Sequence, residues 1–323
     1  MNTNIKTPLS SGGDGGGPLG LCLLDAHTHL WLSVDTVVNG SPIHQLKPNG
    51  SRSLFFGEER QMLPPWMTDG RNTAERLLSN MDYAQVSAAV VTQEFIDGLQ
   101  NDYLLEVQQQ YPTRFFCFGM PEWRKPGYYE HALRLIAKGF RGLKIPAARL
   151  PKDFLHEDEL RRVLFLMEGN DIVLGIELMD GDAQTGMMEE LIADFPRLKV
   201  AIGHFGMVTR PQWLAQIRLA RHEHVYIESG GITWLFNDEF YPFPSAVRAI
   251  REAADEVGFE KLMWGSDYPR TITAITYRMS YDFVSKSKEL TDDEKRLFLC
   301  DNAKQFFGFK ELIELPYIKN MSE

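Results

Sequence analysis

The chain has 323 residues, of which 44% are hydrophobic and 24% are charged, a composition typical of a globular protein with a sizeable core. Its 34 Lys and Arg against 44 Asp and Glu give a formal net charge of −10 at pH 7. Because no basic block interrupts this acidic balance, we expect neither nucleic acid nor an anionic membrane surface as a partner.

Two further features concern the cellular compartment. No apolar run approaches the length of a membrane span, and the amino terminus lacks the apolar core of a signal peptide. The cysteines Cys22, Cys117 and Cys300 cannot all pair with one another and show no CxxC spacing, which favours a reducing compartment. The sequence therefore predicts a cytoplasmic protein.

The chain divides into a leader, one large domain and a tail. Residues 1–20 are rich in Gly, Ser, Asn and Thr and are predicted to be disordered. The domain is predicted to cover residues 21–310, with a C-terminal tail at 311–323. Within the domain, short apolar runs alternate with helical patterns, and the runs lie at residues 21–24, 86–91, 114–120, 140–146, 171–178, 198–206, 224–229 and 262–269. Eight such pairs in roughly 290 residues predict an α/β fold, a single-domain (β/α)8 TIM barrel.

Residues 31–72 separate the first strand from its helix and are predicted to be a long loop insertion. Connections of that length inside compact domains are usually functional or disordered. The proline and aromatic residues of this stretch favour a lid over the mouth of the barrel or a contact in a homodimer, and the sequence leaves both open. Trp31, where the insertion begins, is predicted to contact substrate.

The first apolar run ends in the letters D-A-H-T-H at residues 25–29. Residues two apart on a strand share a face, so we expect His27 and His29 to point the same way. Two neutral imidazoles that converge offer lone pairs to a Zn, Mn or Fe ion without burying a charge. Two structural histidines at the end of a strand are the alternative.

Further polar side chains occur at the carboxyl ends of the other strands, which is where barrels of this kind carry their active sites. Burial of so many charges would be costly unless they were paired or bound to a metal. The complete set is His27, His29, Glu122, Lys144, Glu177, His204, Glu228 and Asp267. The sequence therefore predicts one site assembled from several strands.

Five short motifs stand in a characteristic order along the chain. They are D-A-H-T-H at 25–29, G-F-R-G-L-K at 139–144, I-G-H-F-G at 202–206, M-W-G-S-D-Y-P at 263–269 and D-N-A-K-Q-F-F-G-F at 301–309. In order and placement they resemble the amidohydrolase superfamily. They look most like its amidohydrolase-related branch, which holds sugar lactonases, the pyrone dicarboxylate lactonase and aminocarboxymuconate semialdehyde decarboxylase-like enzymes.

The resemblance implies a role for each matching residue. His27 and His29 would be metal ligands, and Asp267 would be both a ligand and the general base. His204 would sit beside the metal, either as a ligand or as a hydrogen-bond partner of the substrate's reacting oxygen. One divalent ion is expected, zinc in preference to manganese or iron, and such an ion lowers the pKa of water enough to supply a nucleophile at neutral pH.

Strand five departs from the superfamily pattern, because I-E-L at 176–178 stands where many members carry a metal-binding histidine. Either Glu177 substitutes as an oxygen ligand, or fewer protein ligands hold the ion, or catalysis needs no metal. Lys144 could be carboxylated and bridge two ions, but we prefer it as a cation that faces an anionic substrate. Arg270 is predicted to bind a substrate carboxylate, with an ion pair to a loop acid as the alternative.

The branch contains both hydrolases and decarboxylases. We favour a metal-dependent hydrolase of a small lactone or amide, carboxylated or sugar-derived, because the departure at strand five looks more like sugar lactonases. A metal-dependent decarboxylase of an unsaturated or aromatic acid is the second hypothesis. A barrel that only binds a ligand is the third. In each case we expect a small anionic molecule as the partner, and a homodimer stays open.

Overall fold

A computed structural model describes residues 22–317, 319 and 321. The predicted leader lies outside the described residues. Within them, twelve strands follow one another in the order β1 Leu24–His29, β2 Asp35–Val38, β3 Ser41–Gln45, β4 Arg52–Phe55, β5 Glu58–Gln61, β6 Ala88–Thr92, β7 Phe115–Cys117, β8 Gly142–Pro146, β9 Val173–Glu177, β10 Val200–Ile202, β11 Val225–Glu228 and β12 Leu262–Met263. Strands and helices alternate from β6 onward, so the fold is α/β as predicted.

The helices pack between and after these strands. They are α1 Ala74–Ala84, α2 Asn101–Gln110, α3 Tyr128–Lys138, α4 Asp158–Gly169, α5 Thr185–Asp194, α6 Leu214–Arg218, α7 Ile232–Leu235, α8 Pro244–Val257, α9 Met279–Ser285, α10 Asp292–Arg296 and α11 Asn302–Phe307. A π-helical turn, Leu297–Asp301, connects the last two. Helix α3 ends at Gly139, whose φ of 110° lies in the left-handed region that favours glycine.

Eight strands are parallel, and each overlaps a predicted run, although β1 and β6 continue past the ends of theirs. They form a three-stranded sheet in the order β1-β6-β7 and a five-stranded sheet in the order β12-β11-β10-β9-β8. Backbone hydrogen bonds join the two sheets at both edges: the Lys144 N–H donates to the Gly119 carbonyl at 2.9 Å, and the His29 N–H donates to the Tyr268 carbonyl at 2.7 Å. The carboxyl end of β1 therefore lies beside the segment that follows β12.

Two apolar clusters stabilise this arrangement. The smaller one contains alternate residues of β1 and β6, such as Leu24 and Val90, together with Phe306 and Phe307 of α11. The larger one contains the opposite faces of the strands and the apolar faces of the helices, for example Val91 and Leu104. Because α11 packs beside the amino-terminal half of β1, the carboxyl end of that strand stays available for a functional site.

The long loop that we predicted between β1 and α1 is instead largely a sheet. Strands β2 to β5 pair in chain order as four antiparallel strands. Two-residue turns connect β2 to β3 at Asn39-Gly40 and β4 to β5 at Phe56-Gly57, and all four turn residues have positive φ. Asn-Gly between strands is a strong signal for such a hairpin, so the sequence contained evidence for at least one of them.

The cysteines also differ from expectation. Cys22 and Cys300 form a disulfide that joins the residue before β1 to the terminal helical segment, whereas Cys117 is buried and free. A sequence separation of 278 residues left no spacing pattern from which to predict this pair. Among the described residues, no helix combines the length and the apolar character needed to cross a membrane.

The terminal helical segment begins with a capping box in the sequence T-D-D-E at residues 291–294. The Thr291 hydroxyl accepts from the Glu294 N–H, and the Glu294 carboxylate accepts from the Thr291 N–H. We expect Thr291→Ala to destabilise the protein by about 1 kcal/mol, which lowers Tm by roughly 2 °C in a chain of this size. Differential scanning calorimetry checks this. Thr291→Ser keeps the accepting oxygen and should melt with the wild type, whereas equal losses in both variants would contradict the capping role.

Candidate metal centre and catalytic site

Three potential metal-ligand atoms converge at one point, two from β1 and one from the segment that follows β12. His27 and His29 lie two residues apart on β1, and their Nε2 atoms are 3.0 Å from each other. Asp267 follows β12, and its Oδ1 lies 3.1 Å from His29 Nε2 and 3.7 Å from His27 Nε2. All three side chains are buried. The structure thus brings together the candidate ligands of the first and fourth of the five sequence motifs.

Each imidazole is held at its other nitrogen by a carboxylate. His27 Nδ1 lies 2.6 Å from Glu228 Oε1, and His29 Nδ1 lies 2.6 Å from Asp97 Oδ2. A carboxylate can only accept here, so Nδ1 carries the proton and Nε2 presents its lone pair to the point of convergence. Burial lowers the pKa of His27, which favours its neutral, ligating form. Glu228, on β11, is therefore the orienting partner of His27.

The donor set fits a divalent cation. Metal–ligand bonds to imidazole nitrogen and carboxylate oxygen measure about 2.0–2.2 Å in tetrahedral sites, so ligand atoms around one ion lie close to the 3.0–3.7 Å found between these three atoms. Two histidines and one carboxylate are also the ligand types of catalytic zinc sites that keep a further position open. Burial lowers the pKa of His29, but the neighbouring Asp97 carboxylate outweighs burial and raises the pKa, so a metal that binds His29 Nε2 would displace a proton from it.

Asp267 is ionised and tightly held. Burial raises its pKa, but the adjacent His29 and the charge of Arg270 outweigh that effect and hold the pKa well below its usual range. The Arg270 NH1 atom lies 3.4 Å from Asp267 Oδ1, and the Trp234 indole N–H donates to Oδ2 at 2.9 Å. Asp267 has a φ of 59°, in the left-handed region that a non-glycine residue rarely adopts. Such strain is concentrated at functional sites.

His204 lies between two oxygen acceptors. Its Nδ1 lies 2.9 Å from the Gly230 carbonyl oxygen, and its Nε2 lies 3.4 Å from Glu177 Oε1. Burial lowers the pKa of His204, but the Glu177 carboxylate outweighs burial and raises the pKa to about 9. An imidazolium donates hydrogen bonds and has no lone pair for a metal. Of the two roles left open for His204, this geometry favours the hydrogen-bond donor.

Glu177 and Lys144 form a buried ion pair. The Lys144 Nζ lies 2.8 Å from Glu177 Oε1. Burial raises the pKa of Glu177, but Lys144 and His204 together hold the pKa well below its usual range. Glu177 lines the cavity, whereas Lys144 is not among the described lining residues. The structure thus pairs Lys144 with the carboxylate at the end of β9 instead of presenting it to a substrate. Glu177, His204 and His27 form a second group whose ligand atoms lie within 4.8 Å of one another.

A cavity of about 890 Å³ opens over these groups. His29, Glu177, His204, Asp267 and Arg270 line its floor. Arg270 also forms an ion pair, with its Nη2 at 2.6 Å from Asp97 Oδ1. It therefore lines the cavity and is also paired with a loop acid, so it combines features of both alternatives given for it.

The insertion contributes part of the wall of the cavity. Its lining residues are Phe55, Arg60, Gln61 and Met62, from β4, β5 and the residue after β5. We call this set the roof. Its position agrees with the lid interpretation. Trp31, by contrast, is buried in the core, and its indole N–H donates to the Gly70 carbonyl at 3.0 Å. The structure does not bring Trp31 to the cavity, because packing against the base of the insertion turns it away.

Sequence reasoning missed several residues around the site. Glu94 and Asp97 follow the carboxyl end of β6, in the letters T-Q-E-F-I-D at 92–97. The predicted set includes no residue from this strand end. Trp234, after β11, and Arg149, after β8, also line or support the cavity. Glu122, which was included, forms an ion pair with Arg124 and is not among the cavity-lining residues described.

We expect Asp97→Asn to weaken zinc binding about 10- to 100-fold, because partners that orient ligand imidazoles contribute that much to metal affinity. Isothermal titration of the metal-free protein with Zn²⁺ measures it. Glu122→Gln is the matched control, since it removes a strand-end carboxylate that contacts Arg124 instead of a ligand histidine. A loss smaller than about threefold in Asp97→Asn would contradict the orienting role.

Comparison with known proteins agrees with this geometry. The sequence model of the amidohydrolase family matches residues 24–309. None of the curated proteins matches the chain.

Solved structures share the fold. One from Acinetobacter baumannii, described as a "probable 2-pyrone-4,6-dicarboxylic acid hydrolase" with citric acid bound, is 20% identical, with a TM-score of 0.65 over 89% of this chain and 99% of that chain. An amidohydrolase from Burkholderia multivorans with bound zinc is 18% identical, with a TM-score of 0.65 over 89% and 99%. The 5-carboxyvanillate decarboxylase of Novosphingobium aromaticivorans, in complex with manganese and 4-hydroxy-3-methoxy-5-nitrobenzoic acid, is 19% identical, with a TM-score of 0.53 over 73% and 80%.

Proposed function

The chain belongs to the amidohydrolase family, and from that membership we propose that it is a metal-dependent hydrolase of a small lactone. The observation that carries the proposal is the convergence of His27 Nε2, His29 Nε2 and Asp267 Oδ1 at the floor of a cavity. The substrate would be carboxylated or sugar-derived, and an amide of similar size is the nearest variant.

We also propose that the eight parallel strands form one closed (β/α)8 barrel. The backbone hydrogen bonds at both junctions between the two parallel sheets support closure, since they leave each edge strand with a neighbour. The Thr28–Tyr268 and Gly119–Leu143 bridges are both parallel, as a barrel requires. In such a barrel the carboxyl ends of the strands form the active-site face, where His27, His29 and Glu177 lie.

One divalent ion would be held by His27, His29 and Asp267, with zinc preferred over manganese or iron because two imidazoles and a carboxylate suit it. When bound, the ion supplies Lewis acidity that polarises a carbonyl and makes water nucleophilic at neutral pH. Glu177 forms an ion pair with Lys144. This pairing supports a single ion that is held without a ligand from β9.

The chain's own residues would move the protons. Asp267 is ionised and faces the cavity, so it can accept a proton from the attacking water and return it to the leaving oxygen. The His204 imidazolium can donate from Nε2 to the oxygen that gains charge when a carbonyl is attacked. The Gly230 carbonyl holds the opposite side of the ring in place. The roof would reduce the access of water to a bound substrate.

An anionic substrate is supported by the cations around the cavity. Arg60, Arg149 and Arg270 line it, and guanidinium groups bind carboxylates in a bidentate manner. The Acinetobacter structure is named for a dicarboxylic acid and holds citric acid. A small organic acid that contains a lactone ring is consistent with both observations.

Decarboxylation is the second candidate, because one structural neighbour is a manganese-containing decarboxylase. In that reaction His204 would deliver a proton to the carbon that loses carbon dioxide. We prefer hydrolysis because the two neighbours of higher TM-score, a "hydrolase" and an amidohydrolase, also cover more of this chain.

A substrate panel tests the proposal. The zinc-loaded protein is incubated with sugar lactones, 2-pyrone-4,6-dicarboxylate and aromatic carboxylates, and acid release and carbon dioxide release are recorded on the same samples. We expect acid without gas from at least one lactone, and no turnover by the His27→Ala/His29→Ala variant. Gas from any carboxylate would favour the decarboxylase, and an inert protein across the panel would reject both.

A further inference from the structure

We infer that Trp234 is a positioning residue that holds Asp267 so that only Oδ1 faces the ligand histidines. This inference rests on the proposed function, because it concerns the residue proposed as ligand and base. The indole N–H of Trp234 donates to Asp267 Oδ2 at 2.9 Å. Oδ1 of the same carboxylate lies 3.1 Å from His29 Nε2. The two oxygens therefore have different partners, and the indole keeps the carboxylate from exchanging them.

The local backbone is built for this contact. Gly231 precedes α7 and has a φ of 75°, which few residues other than glycine adopt. A Cβ on Gly231 would lie only 1.8 Å from Trp234 Nε1, so the indole folds back over a position that must lack a side chain. Asp267, at the other end of the hydrogen bond, also has a left-handed backbone. Both partners of the contact thus depend on uncommon conformations, which packing alone does not require.

The orientation of the indole points the same way. Trp234 lines the cavity and is 36% exposed, so water could satisfy its N–H if the ring faced outward. The N–H instead points to a buried carboxylate, and the ring stands edge-on to His204 at a centroid distance of 6.2 Å. The ring therefore neighbours both the proposed proton acceptor and the proposed donor. Its N–H is the group that fixes the acceptor.

The first test observes the hydrogen bond without any activity assay. The full chain contains six tryptophans, and ¹⁵N labelling makes their indole N–H groups visible by NMR in the metal-free protein. Trp234→Phe identifies the signal of Trp234 by its disappearance. We expect that signal to shift in Asp267→Ala and to exchange with water more slowly than the signal of the exposed Trp66. The Trp264 indole, which donates to the Ser280 carbonyl at 3.0 Å, is the internal control and should stay in place. A Trp234 signal that Asp267→Ala leaves unmoved would overturn the inference.

The second test measures the consequence for the site. Trp234→Phe keeps an aromatic ring but removes the donor. We expect its affinity for Zn²⁺, titrated into the metal-free protein, to fall about tenfold, within the range for groups that orient metal ligands. Its kcat on the substrate found in the panel should fall about 10- to 100-fold, as for a lost hydrogen bond to a charged group, with KM changed less than about threefold.

A merely structural role would lower Tm and leave zinc affinity unchanged. Trp66→Phe, at a side chain 64% exposed on the insertion, is the matched control. It should keep the zinc affinity, the kcat and the KM of the wild type. If the panel yields no substrate, the proposed function fails, but the indole signal and the zinc affinity still decide the role of Trp234. Unchanged zinc affinity in Trp234→Phe would reject it.

Discussion

Asp267→Asn is expected to lower kcat/KM by about 10²- to 10⁴-fold, the range that general acid–base groups contribute to catalysis. The amide cannot accept a proton, and it removes the negative charge that now balances Arg270 and faces His29. Initial rates on the substrate from the panel, at saturating zinc, measure the loss. Because the two side chains have nearly the same shape, the fold should persist, and circular dichroism verifies this.

Asp102→Asn is the matched control for that measurement. The Asp102 carboxylate is exposed on α2, pairs with Lys138 at 3.0 Å and is not among the described residues that line the cavity. It should retain the activity of the wild type. If Asp267→Asn lost less than about tenfold, the proton would have another acceptor, and the role proposed for Asp267 would be wrong.

The second large effect concerns metal content. The wild-type protein, loaded with zinc and dialysed, is expected to retain one ion per chain, whereas His27→Ala/His29→Ala should retain less than about a tenth of that, since one carboxylate cannot replace a three-ligand set. Plasma mass spectrometry quantifies the ion without reference to activity. His222→Ala, which removes an exposed imidazole paired with Glu189, should keep its zinc.

Removing both imidazoles also leaves the Glu228 and Asp97 carboxylates buried without their partners, which destabilises a folded chain. His27→Asn/His29→Asn is therefore the companion variant, because each amide can still donate to its carboxylate. It should fold better than the alanine variant and lose zinc equally. Full zinc content in either variant would show that the ion binds at another site. His204 and Glu177 would then be the next residues to substitute.

Much of the fold was predictable because local patterns and tertiary structure agree. Six of the eight parallel strands fall inside the predicted apolar runs, and β1 and β6 overlap their runs but extend beyond the carboxyl end. A buried parallel strand is apolar on both faces, so its sequence stands out from the amphipathic helices around it. The metal-ligand candidates followed from the same reasoning, since they occur where such strands end.

The remaining features depend on contacts that no periodicity records. Trp234 and Asp267 are 33 positions apart, and their hydrogen bond requires uncommon backbone conformations at both ends. Lys144 and Glu177 lie on adjacent strands, yet only the register of β8 and β9 tells that their side chains meet. Asp97 is different, because its position just after the carboxyl end of β6 marks it as a candidate in the sequence itself.

The roof has one consequence for how this protein can diversify. Val38 and Ile43, at the base of the insertion, belong to the main apolar core, whereas Phe55 and Arg60 near the turn of the β4–β5 hairpin are partly or largely exposed to the cavity and solvent. Changes at the base disturb folding, but changes at the hairpin alter the shape of the chamber at little cost in stability. Substitutions at a few positions of the hairpin can therefore change which ligands the cavity admits, while the groups at its base stay untouched.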